Sequence, residues 1–521
     1  MNDRKQVLEE IRKAPQFDVI IIGGGASGIG TALESCLRGY TTLLLEKHDF
    51  TKGTSSKSTK LVHGGVRYMA QGDLKMVREA LKERGYLVKN APHLVHDQAF
   101  IIPNYKWWEG AFYTIGLKFY DLLAGKFSLG RSIHLGSKKV KEMLPGIKHE
   151  KLKGGVLYHD GQFDDSRLAI DMLHALSEHG GLAINYMEVC GLIKDENGKL
   201  SGVKAKDNTT GNELTISAKT IMNATGVWVD DILEMDVSAH EKTIRPSQGI
   251  HLVLKKEFLP GENALMIPKT SDGRVLFAVP WHDYLVVGTT DTPINDSHAE
   301  PIASEQEILF ILDTASLYFK KEIKRSDVQS VFAGLRPLAA PKKDSSKTKE
   351  ISRNHKIYIS ESNLITVVGG KWTTYRKMGQ DMIDGAIKKG LLPPSESPTK
   401  TFRIAARENF EKNIPFSLYG NNASEIAAMI KKDPGLSEKI HPEIPYCWAE
   451  VCWICEHEMI VHLEDLLARR LRAILLNARA TLEIAEEVAN RIKKTMNWSD
   501  DEVKKELDSF EIFAENYTLR L

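Results

Sequence analysis

A glycine-rich turn between an apolar strand and a helix is the feature that most constrains this chain. The segment from Phe17 to Glu46 reads FDVIIIGGGASGIGTALESCLRGYTTLLLE. Its apolar run, Val19 to Ile22, predicts a buried parallel strand. Gly23, Gly25 and Gly28 follow with the G-x-G-x-x-G spacing, which supplies a tight turn, a close backbone approach to a pyrophosphate and close helix packing. The turn therefore predicts a dinucleotide site.

The residues after this turn predict a helix, a second strand and an acidic residue at the end of that strand. A helix from Ala26 to about Arg38 would point its free N–H groups and positive dipole end at the phosphates. A second apolar strand, Thr41 to Leu45, ends in Glu46. A carboxylate there accepts hydrogen bonds from both hydroxyls of the adenosine ribose and repels a 2'-phosphate, so the pattern argues against NADP.

Composition excludes several other classes of protein. The chain has 521 residues, a net charge of +1 and only five cysteines, which predicts more than one domain, gives no electrostatic case for nucleic acid and fits a reducing compartment. The first 17 residues mix acids and bases without an apolar core, so they do not resemble a signal or transit peptide. No stretch of 18 apolar residues predicts a membrane span.

The order of the motifs predicts an α/β fold with an inserted domain. A second glycine turn, GGKWTTYRK, follows an apolar strand far along the chain, and the region between the two turns is rich in alternating strands. We predict a Rossmann-like FAD-binding domain, an inserted antiparallel-sheet substrate domain and a C-terminal helical domain. Their predicted ranges are 17–100, 150–235 and 345–391 for the first, 101–149 and 236–344 for the second, and 399–521 for the third.

The loop after Glu46 favours FAD over NAD. FAD is longer and is held along its whole length, so it needs hydroxyls, glycines and helix ends beyond the first strand–helix–strand unit. The stretch TSSKSTKLVHGGVRYM supplies such groups. The predicted cofactor contacts in this loop are Ser55, Ser58, Thr59 and Gly64.

Six ordered motifs then identify a family. STKLVHGGVRYM, NATGVWVDDI, RPSQGIHLVL, GTTDTP, GLRPL and GGKWTTYRK together closely resemble the FAD-dependent glycerol-3-phosphate dehydrogenases of the D-amino-acid-oxidase-like flavoprotein class. The resemblance runs from Phe17 to the C-terminus, where LEDLLARR matches the C-terminal module of that family. It implies noncovalently bound FAD, with Val189, Gly226, Lys371 and Thr373 among the further cofactor contacts.

The resemblance also implies a set of cationic substrate ligands. Glycerol 3-phosphate is a dianion near neutral pH, and the planar fork of arginine binds phosphate oxygens bidentately. The family match points to Arg336 in GLRPL, Arg353 in ISRNH and Arg67 in GGVRYM. Tyr68 and Lys371 are expected to join them.

His251 is the expected base, again by resemblance to the GxH strand of the family. A histidine with an ordinary pKa near 6.5 would accept the hydroxyl proton at neutral pH. The positive end of the helix after Gly370 and the ammonium of Lys371 would stabilise negative charge that appears on a reduced flavin.

Three other features receive no catalytic role. Cys452 and Cys455 form a single C-x-x-C without a second pair, which argues against a metal or redox site. His63 next to two glycines is not expected to bind the flavin covalently. Asp291 in GTTDTP is expected to fix a turn near the flavin, and no metal site is predicted.

One predicted helix carries a stripe of aromatic and aliphatic residues that bears on where the protein is located. Trp108, Phe112, Ile115, Phe119 and Leu122 share one face of a helix expected between Ile101 and Gly125, with Lys106, Lys118, Lys126 and Arg131 around it. We expect this stripe to be core, with membrane docking on an anionic surface as the alternative.

The run HLEDLLARRLRAILL near the C-terminus predicts an amphipathic helix.

The expected function is the oxidation of sn-glycerol 3-phosphate to dihydroxyacetone phosphate in glycerol metabolism, with electrons passed through FAD to a membrane quinone. The alternatives are an oxidase that uses oxygen, an amino-acid oxidase or dehydrogenase, and a non-catalytic flavin-binding module. No calcium-binding D-x-D-x-D-G loop or transit peptide of the mitochondrial relatives occurs in the sequence. We therefore expect a bacterial enzyme, cytoplasmic and peripheral on the inner face of the cell membrane, with a homodimer left open.

Overall fold

The structure is a computed structural model that describes residues 1, 3–66, 69, 72–238, 240–270, 273–340, 355–405 and 414–519. The helices, numbered here in chain order, are α1 (Arg4–Lys13), α2 (Ala26–Leu37), α3 (Leu74–Asn90), α4 (Glu109–Ala124), α5 (Ser137–Met143), α6 (Asp165–Glu178), α7 (Val229–Asp236), α8 (Glu305–Ser316), α9 (Tyr375–Lys388), α10 (Ala423–Lys432), α11 (Trp448–His457), α12 (Ala473–Leu476), α13 (Ala478–Met496) and α14 (Asp500–Glu515).

The strands form two large sheets and one hairpin. They are β1 (Phe17–Ile22), β2 (Thr42–Leu45), β3 (Leu61–Val62), β4 (Val95–Asn104), β5 (Ile133–Gly136), β6 (Gly154–Phe163), β7 (Leu182–Ile184), β8 (Met187–Lys194), β9 (Leu200–Asp207), β10 (Glu213–Asn223), β11 (Ile244–Lys255), β12 (Ala264–Ile267), β13 (Leu276–Trp281), β14 (Tyr284–Gly288), β15 (Thr292–Pro293), β16 (Val328–Ala339), β17 (Lys356–Ile359), β18 (Ile365–Val368), β19 (Lys439–His441) and β20 (Ile444–Cys447).

The first sheet carries the predicted dinucleotide fold. Its strand order is β17-β18-β10-β1-β2-β7, and β1 pairs in parallel with both β10 and β2. Because both faces of β1 are covered, its sequence is almost continuously apolar. Helices α2 and α9 pack so closely that a Cβ on Gly379 would lie 2.7 Å from the backbone oxygen of Gly30. This contact places the N-terminal ends of both helices at the same side of the sheet.

The second sheet is larger and mainly antiparallel. Its strand order is β15-β11-β14-β13-β12-β4-β6-β3, with β16 beside β11 and β5 beside β6. The α/β fold class with an antiparallel-sheet domain is thus confirmed. The predicted domain ranges assigned β3, the first part of β4 and β6 to the cofactor domain, but these strands pair within the second sheet. The strands that pair with β3, β4 and β6 are distant in the sequence, so a local pattern cannot predict these pairings.

The C-terminal segment is helical apart from the hairpin of β19 and β20. Its core is continuous with the second sheet, since Trp281 and Phe332 lie in the same buried cluster as Trp453 and Leu466. The predicted amphipathic helix in HLEDLLARRLRAILL is wrong. The run is a short π-helical turn at Asp465–Arg470 followed by α12, and it is buried almost throughout.

Three arginines of that run are buried because acids of the first half of the chain pair with them. Arg470 donates to both carboxylate oxygens of Asp49, at 2.8 and 2.9 Å, and Arg469 donates to the same carboxylate. Arg472 lies 2.9 Å from Asp164. These arginines gave the run its amphipathic pattern in the sequence, but they bind acids in another part of the chain and do not face solvent.

The core interpretation of the aromatic stripe is also wrong. Helix α4 begins at Glu109, later than predicted, because Val95–Asn104 is strand β4. Its inner face buries Leu117 and Tyr120, whereas Phe112 is 62 %, Ile115 71 % and Leu122 74 % exposed. Among the described residues, no helix is long and apolar enough to cross a membrane.

Candidate active site

A cavity of about 600 Å³ lies where the two sheets meet. The ends of β1 and β2 line it together with the glycine turn after β18, and so do residues of β11 and β16. Most of the predicted site residues that the structure describes line it. They are Gly23, Gly25, Glu46, Ser55, Ser58, Thr59, Val189, Gly226, His251, Arg336, Lys371 and Thr373.

The first glycine turn has the geometry of a phosphate-binding turn. Gly23 has φ +107°, and a Cβ there would lie 2.7 Å from the Ala224 oxygen. Gly25 is the N-cap of α2 without a side-chain cap, so the helix start leaves backbone N–H groups for a ligand. Gly28 does not line the cavity. Its missing Cβ lets the helix pack on the turn, since that atom would lie 1.7 Å from the Gly23 oxygen.

Glu46 is fixed at the end of β2 on the cavity wall. One carboxylate oxygen accepts a 2.6 Å hydrogen bond from the Gly24 amide, and the other accepts a 2.8 Å bond from the His48 amide. Burial raises the pKa of this carboxyl. Each oxygen keeps a lone pair for a further donor, so the arrangement fits the expected contact with ribose hydroxyls.

The loop from Thr54 to Lys60 is held to several distant parts of the chain. Thr54 donates to the Leu335 oxygen at 2.5 Å. Ser55 accepts from the Ala26 amide at 2.9 Å, and the Trp372 indole donates to the Ser55 oxygen at 2.8 Å. The loop thus joins the first helix of the dinucleotide fold to the second glycine turn and to β16.

Gly64 does not line the cavity, contrary to the expectation that it contacts the cofactor. Its amide donates a 2.8 Å hydrogen bond to the hydroxyl of Tyr120 on α4, and a Cβ would lie 2.5 Å from that hydroxyl. The glycine is required for close packing of α4. The neighbouring His63 lies on the wall instead.

His251 lies on β11 inside the cavity with only 2 % of its surface exposed. Its Nε2 is 2.9 Å from the Thr59 hydroxyl, and its ring stacks on Phe332 at 4.8 Å. Its Nδ1 is buried and has no hydrogen-bond partner among the described residues. A Cβ on Gly288 would lie 2.4 Å from the ring, so only glycine fits opposite the histidine.

The expectation of an ordinary pKa for His251 is wrong. Burial, followed by the positive charges of Arg336 and Lys60, holds the pKa of His251 well below its usual value. The imidazole is therefore neutral at pH 7 and ready to accept a proton.

Arg336 extends from β16 across Gly249 on β11. A Cβ on Gly249 would lie 2.3 Å from the guanidinium. The guanidinium donates to the Thr289 hydroxyl at 3.0 Å and to the Gln248 oxygen at 3.4 Å, and it lies 3.5 Å from Asp291. Asp291 thus pairs with the arginine besides accepting from Ser247.

The second glycine turn brings Lys371 and Thr373 to the wall. Gly370 has φ +97°, Trp372–Thr374 forms a 3-10 turn, and α9 follows from Tyr375. Thr373 accepts a 3.2 Å hydrogen bond from the His63 amide. The lysine and the positive end of the helix therefore lie at the same wall.

Three expected substrate ligands, Arg67, Tyr68 and Arg353, lie outside the described residues. Sequence reasoning missed other wall residues, among them Lys57, Trp228 and His298. Lys57 stands in the hydroxyl-rich loop that was singled out, which was a usable signal. Trp228 stands in the motif NATGVWVDDI, next to the predicted Gly226, whereas no local pattern indicated His298.

The cysteine and metal features take no part in this site. In the described ranges there is no group of three or more His, Cys, Asp or Glu side chains that could hold a metal. Cys452 and Cys455 are free thiols, and burial raises the pKa of both.

Comparisons with known proteins agree on one family. Residues 18–375 match the model described as FAD dependent oxidoreductase, and residues 365–503 match the C-terminal domain of alpha-glycerophosphate oxidase. The mitochondrial glycerol-3-phosphate dehydrogenases of Bos taurus and Homo sapiens are each 38% identical to this chain over 541 residues, which is 97% of this chain and 74% of the relative.

Solved structures extend the comparison to the fold. A glycerol-3-phosphate dehydrogenase from Bacillus halodurans complexed with FAD matches with a TM-score of 0.80 at 28% identity, covering 99% of both chains. An L-alpha-glycerophosphate oxidase from Mycoplasma pneumoniae with FAD bound has a TM-score of 0.58 at 15% identity, covering 75% of this chain and 99% of that one, and shows a shared fold only.

Proposed function

Because the chain belongs to the family of FAD-dependent glycerol-3-phosphate dehydrogenases, we propose that it oxidises sn-glycerol 3-phosphate to dihydroxyacetone phosphate and passes the electrons to a membrane quinone. FAD is its cofactor, and the start of α2 at Gly25 and the carboxylate of Glu46 fit the phosphates and ribose of that group. One observation carries the substrate proposal: a cation, Arg336, and a neutral buried base, His251, share the cofactor cavity.

The chemistry requires that a hydride and a proton leave the secondary alcohol. FAD, when bound, supplies the hydride acceptor. Arg336 binds the phosphate dianion and fixes the substrate, together with Arg67, Tyr68 and Arg353 as further proposed ligands. His251 accepts the hydroxyl proton, and the carbinol becomes a ketone. Lys371 and the start of α9 keep positive charge at the opposite wall.

The pH dependence of catalysis tests the role of His251. Because its pKa is held well below the usual value, the rate of flavin reduction by glycerol 3-phosphate should not yet fall near pH 6.5, where an ordinary histidine would be half protonated, and should fall only at lower pH. Anaerobic stopped-flow across these pH values measures the rate. His251→Asn should be slower by about 100-fold in the range where the wild-type rate is constant, and this difference should shrink at low pH, where the histidine is protonated. A reduction rate that is the same in His251→Asn as in the wild type would exclude this residue as the base.

The proposed quinone acceptor requires access to a membrane. The outer face of α4 and the turn before it expose Trp107, Trp108, Phe112, Ile115, Phe119 and Leu122. Lys106, Lys118, Lys126 and Arg131 around this face are exposed as well. Apolar rings bordered by cations complement an anionic bilayer surface, and α4 contacts the loop beside the cavity through Tyr120 and Gly64.

The membrane proposal makes a prediction for a triple variant. Replacing Trp108, Phe112 and Phe119 by serine should abolish flotation with vesicles that contain anionic lipid and lower turnover with quinone, because the apolar contribution to binding is lost. Turnover with a water-soluble electron acceptor should persist. Ile512→Ser, at a residue that is 72 % exposed on α14, is the matched control. Equal flotation of the triple variant and the wild type would show that α4 is not the docking face.

The acceptor itself is tested by reoxidation. The proposal expects slow reaction of the reduced protein with oxygen and fast reaction with a quinone analogue. Rapid reoxidation by oxygen in stopped-flow would assign the chain as an oxidase. The substrate is tested by anaerobic reduction of the bound flavin by glycerol 3-phosphate with no other reductant present.

A further inference from the structure

A buried ion pair anchors the loop from Thr54 to Lys60, whose Thr59 contacts His251. Lys60 and Asp165 are both fully buried, and the ammonium of Lys60 contacts the two carboxylate oxygens at 2.7 and 2.8 Å. Lys60 also donates to the Ser56 oxygen at 2.7 Å. Buried ion pairs are costly to desolvate and rarely add net stability, so this one calls for another explanation.

Asp165 holds the loop on both sides of Thr59. Its carboxylate accepts from the Ser58 amide at 3.1 Å and from the Ser58 hydroxyl at 2.7 Å, besides pairing with Lys60. Lys60 adopts a left-handed conformation with φ +61°. Thr59, between these two anchored residues, is the hydrogen-bond partner of His251 Nε2. The pair thus fixes the hydroxyl that orients the imidazole.

Lys60 and His251 both lie against the ring of Phe332. Its ammonium lies 5.6 Å from the centroid of Phe332, and the His251 ring stacks on Phe332 at 4.8 Å with an interplanar angle of 18°. Among the described residues, Arg336 on β16 also lowers the pKa of His251. Asp291 partly balances the charge of Arg336, as Asp165 does that of Lys60. A nearby cation opposes protonation of the imidazole.

We propose that Lys60 and Asp165 are positioning residues for His251, which hold its hydrogen-bond partner Thr59 in place. The positive charge of Lys60 also opposes protonation of the imidazole. The proposal rests on the function proposed above, in which His251 accepts the substrate proton. It assigns no contact with substrate to either residue.

The charge part is tested with the double variant Lys60→Met, Asp165→Asn. Both charges disappear together, so no unpaired buried charge remains, and the asparagine oxygen still accepts from Ser58. In the FAD-loaded protein, the pH below which the rate of flavin reduction by glycerol 3-phosphate falls, its acid limb, should move to higher pH, because Lys60 no longer opposes protonation of the imidazole. Arg84→Met, Asp160→Asn removes another buried pair and should leave the limb where it is in the wild type. An unmoved limb in the Lys60 variant overturns this part of the proposal.

The positioning part is tested at Thr59, which also serves if the double variant does not fold. Thr59→Val should slow flavin reduction about 10-fold at all pH values, the loss expected for one hydrogen bond, without weakening glycerol 3-phosphate binding. Thr59→Ser keeps the hydroxyl and should restore the rate. Equal rates in the valine and serine variants overturn the proposal. If the wild type itself is not reduced by glycerol 3-phosphate, the function proposed above fails instead.

Discussion

Gly25→Val is expected to purify as a folded but colourless protein. Gly25 lines the cavity at the start of α2, and even a Cβ there would lie 3.1 Å from the Ser55 hydroxyl. A branched side chain would cover the helix N–H groups that fit a pyrophosphate. We therefore expect complete loss of bound FAD, measured as flavin absorbance per protein, with near-wild-type circular dichroism.

The control for this variant is another glycine to valine change. Gly136 has φ −66° and nothing within 4 Å of an added Cβ, so Gly136→Val should keep its full complement of FAD. A yellow, fully occupied Gly25→Val protein would contradict the assignment of the first glycine turn to the cofactor.

The second large effect is expected for Arg336→Ala. A hydrogen bond to a charged group contributes about 1.5–3 kcal/mol, so kcat/KM for glycerol 3-phosphate should fall about 10- to 150-fold, more if the contact is bidentate. The loss with glycerol, which lacks the phosphate, should be far smaller. Steady-state assays with both substrates measure the difference.

Arg336→Lys serves as the matched variant, because it keeps the charge but loses the planar fork. We expect kcat/KM between those of the wild type and the alanine variant. Equal losses with glycerol and glycerol 3-phosphate would mean that Arg336 supports the structure at Thr289 and Gln248 and does not select the phosphate.

Local sequence patterns predicted the dinucleotide half of the fold well. The strand β1, the glycine turn, α2 and β2 are contiguous, and each is determined by neighbours within a few residues, so apolar runs and glycine spacing suffice. The second glycine turn with α9 followed from the same signals. Pairing partners of β3, β4 and β6 are distant in sequence, and their sheet could not be assigned locally.

Periodicity showed which helix positions are apolar but not what they face. The stripe on α4 was expected in the core and is exposed. The run HLEDLLARRLRAILL was expected to form an amphipathic helix, but its arginines are buried against Asp49 and Asp164. Whether an apolar or a charged residue of a helix is buried depends on what packs against it, such as an opposite charge. This neighbour is not encoded within the helix itself.

The sequence predicted which residues belong to the site better than it predicted the pKa of His251. His251, Arg336 and Lys371 were placed in one site by family motifs, and the structure brings all three to the cavity wall. The low pKa of His251 was not expected, because it arises from burial and from Arg336 and Lys60. These groups meet only after the sheets assemble.

The central claim is tested most directly by mixing the purified yellow protein with sn-glycerol 3-phosphate under strictly anaerobic conditions. We predict that the visible absorption band of the oxidised flavin bleaches and that one equivalent of dihydroxyacetone phosphate forms for each flavin reduced. Glycerol and an amino-acid mixture serve as control reductants, and dithionite shows the full extent of reduction. A band that dithionite bleaches but glycerol 3-phosphate leaves unchanged would contradict the account.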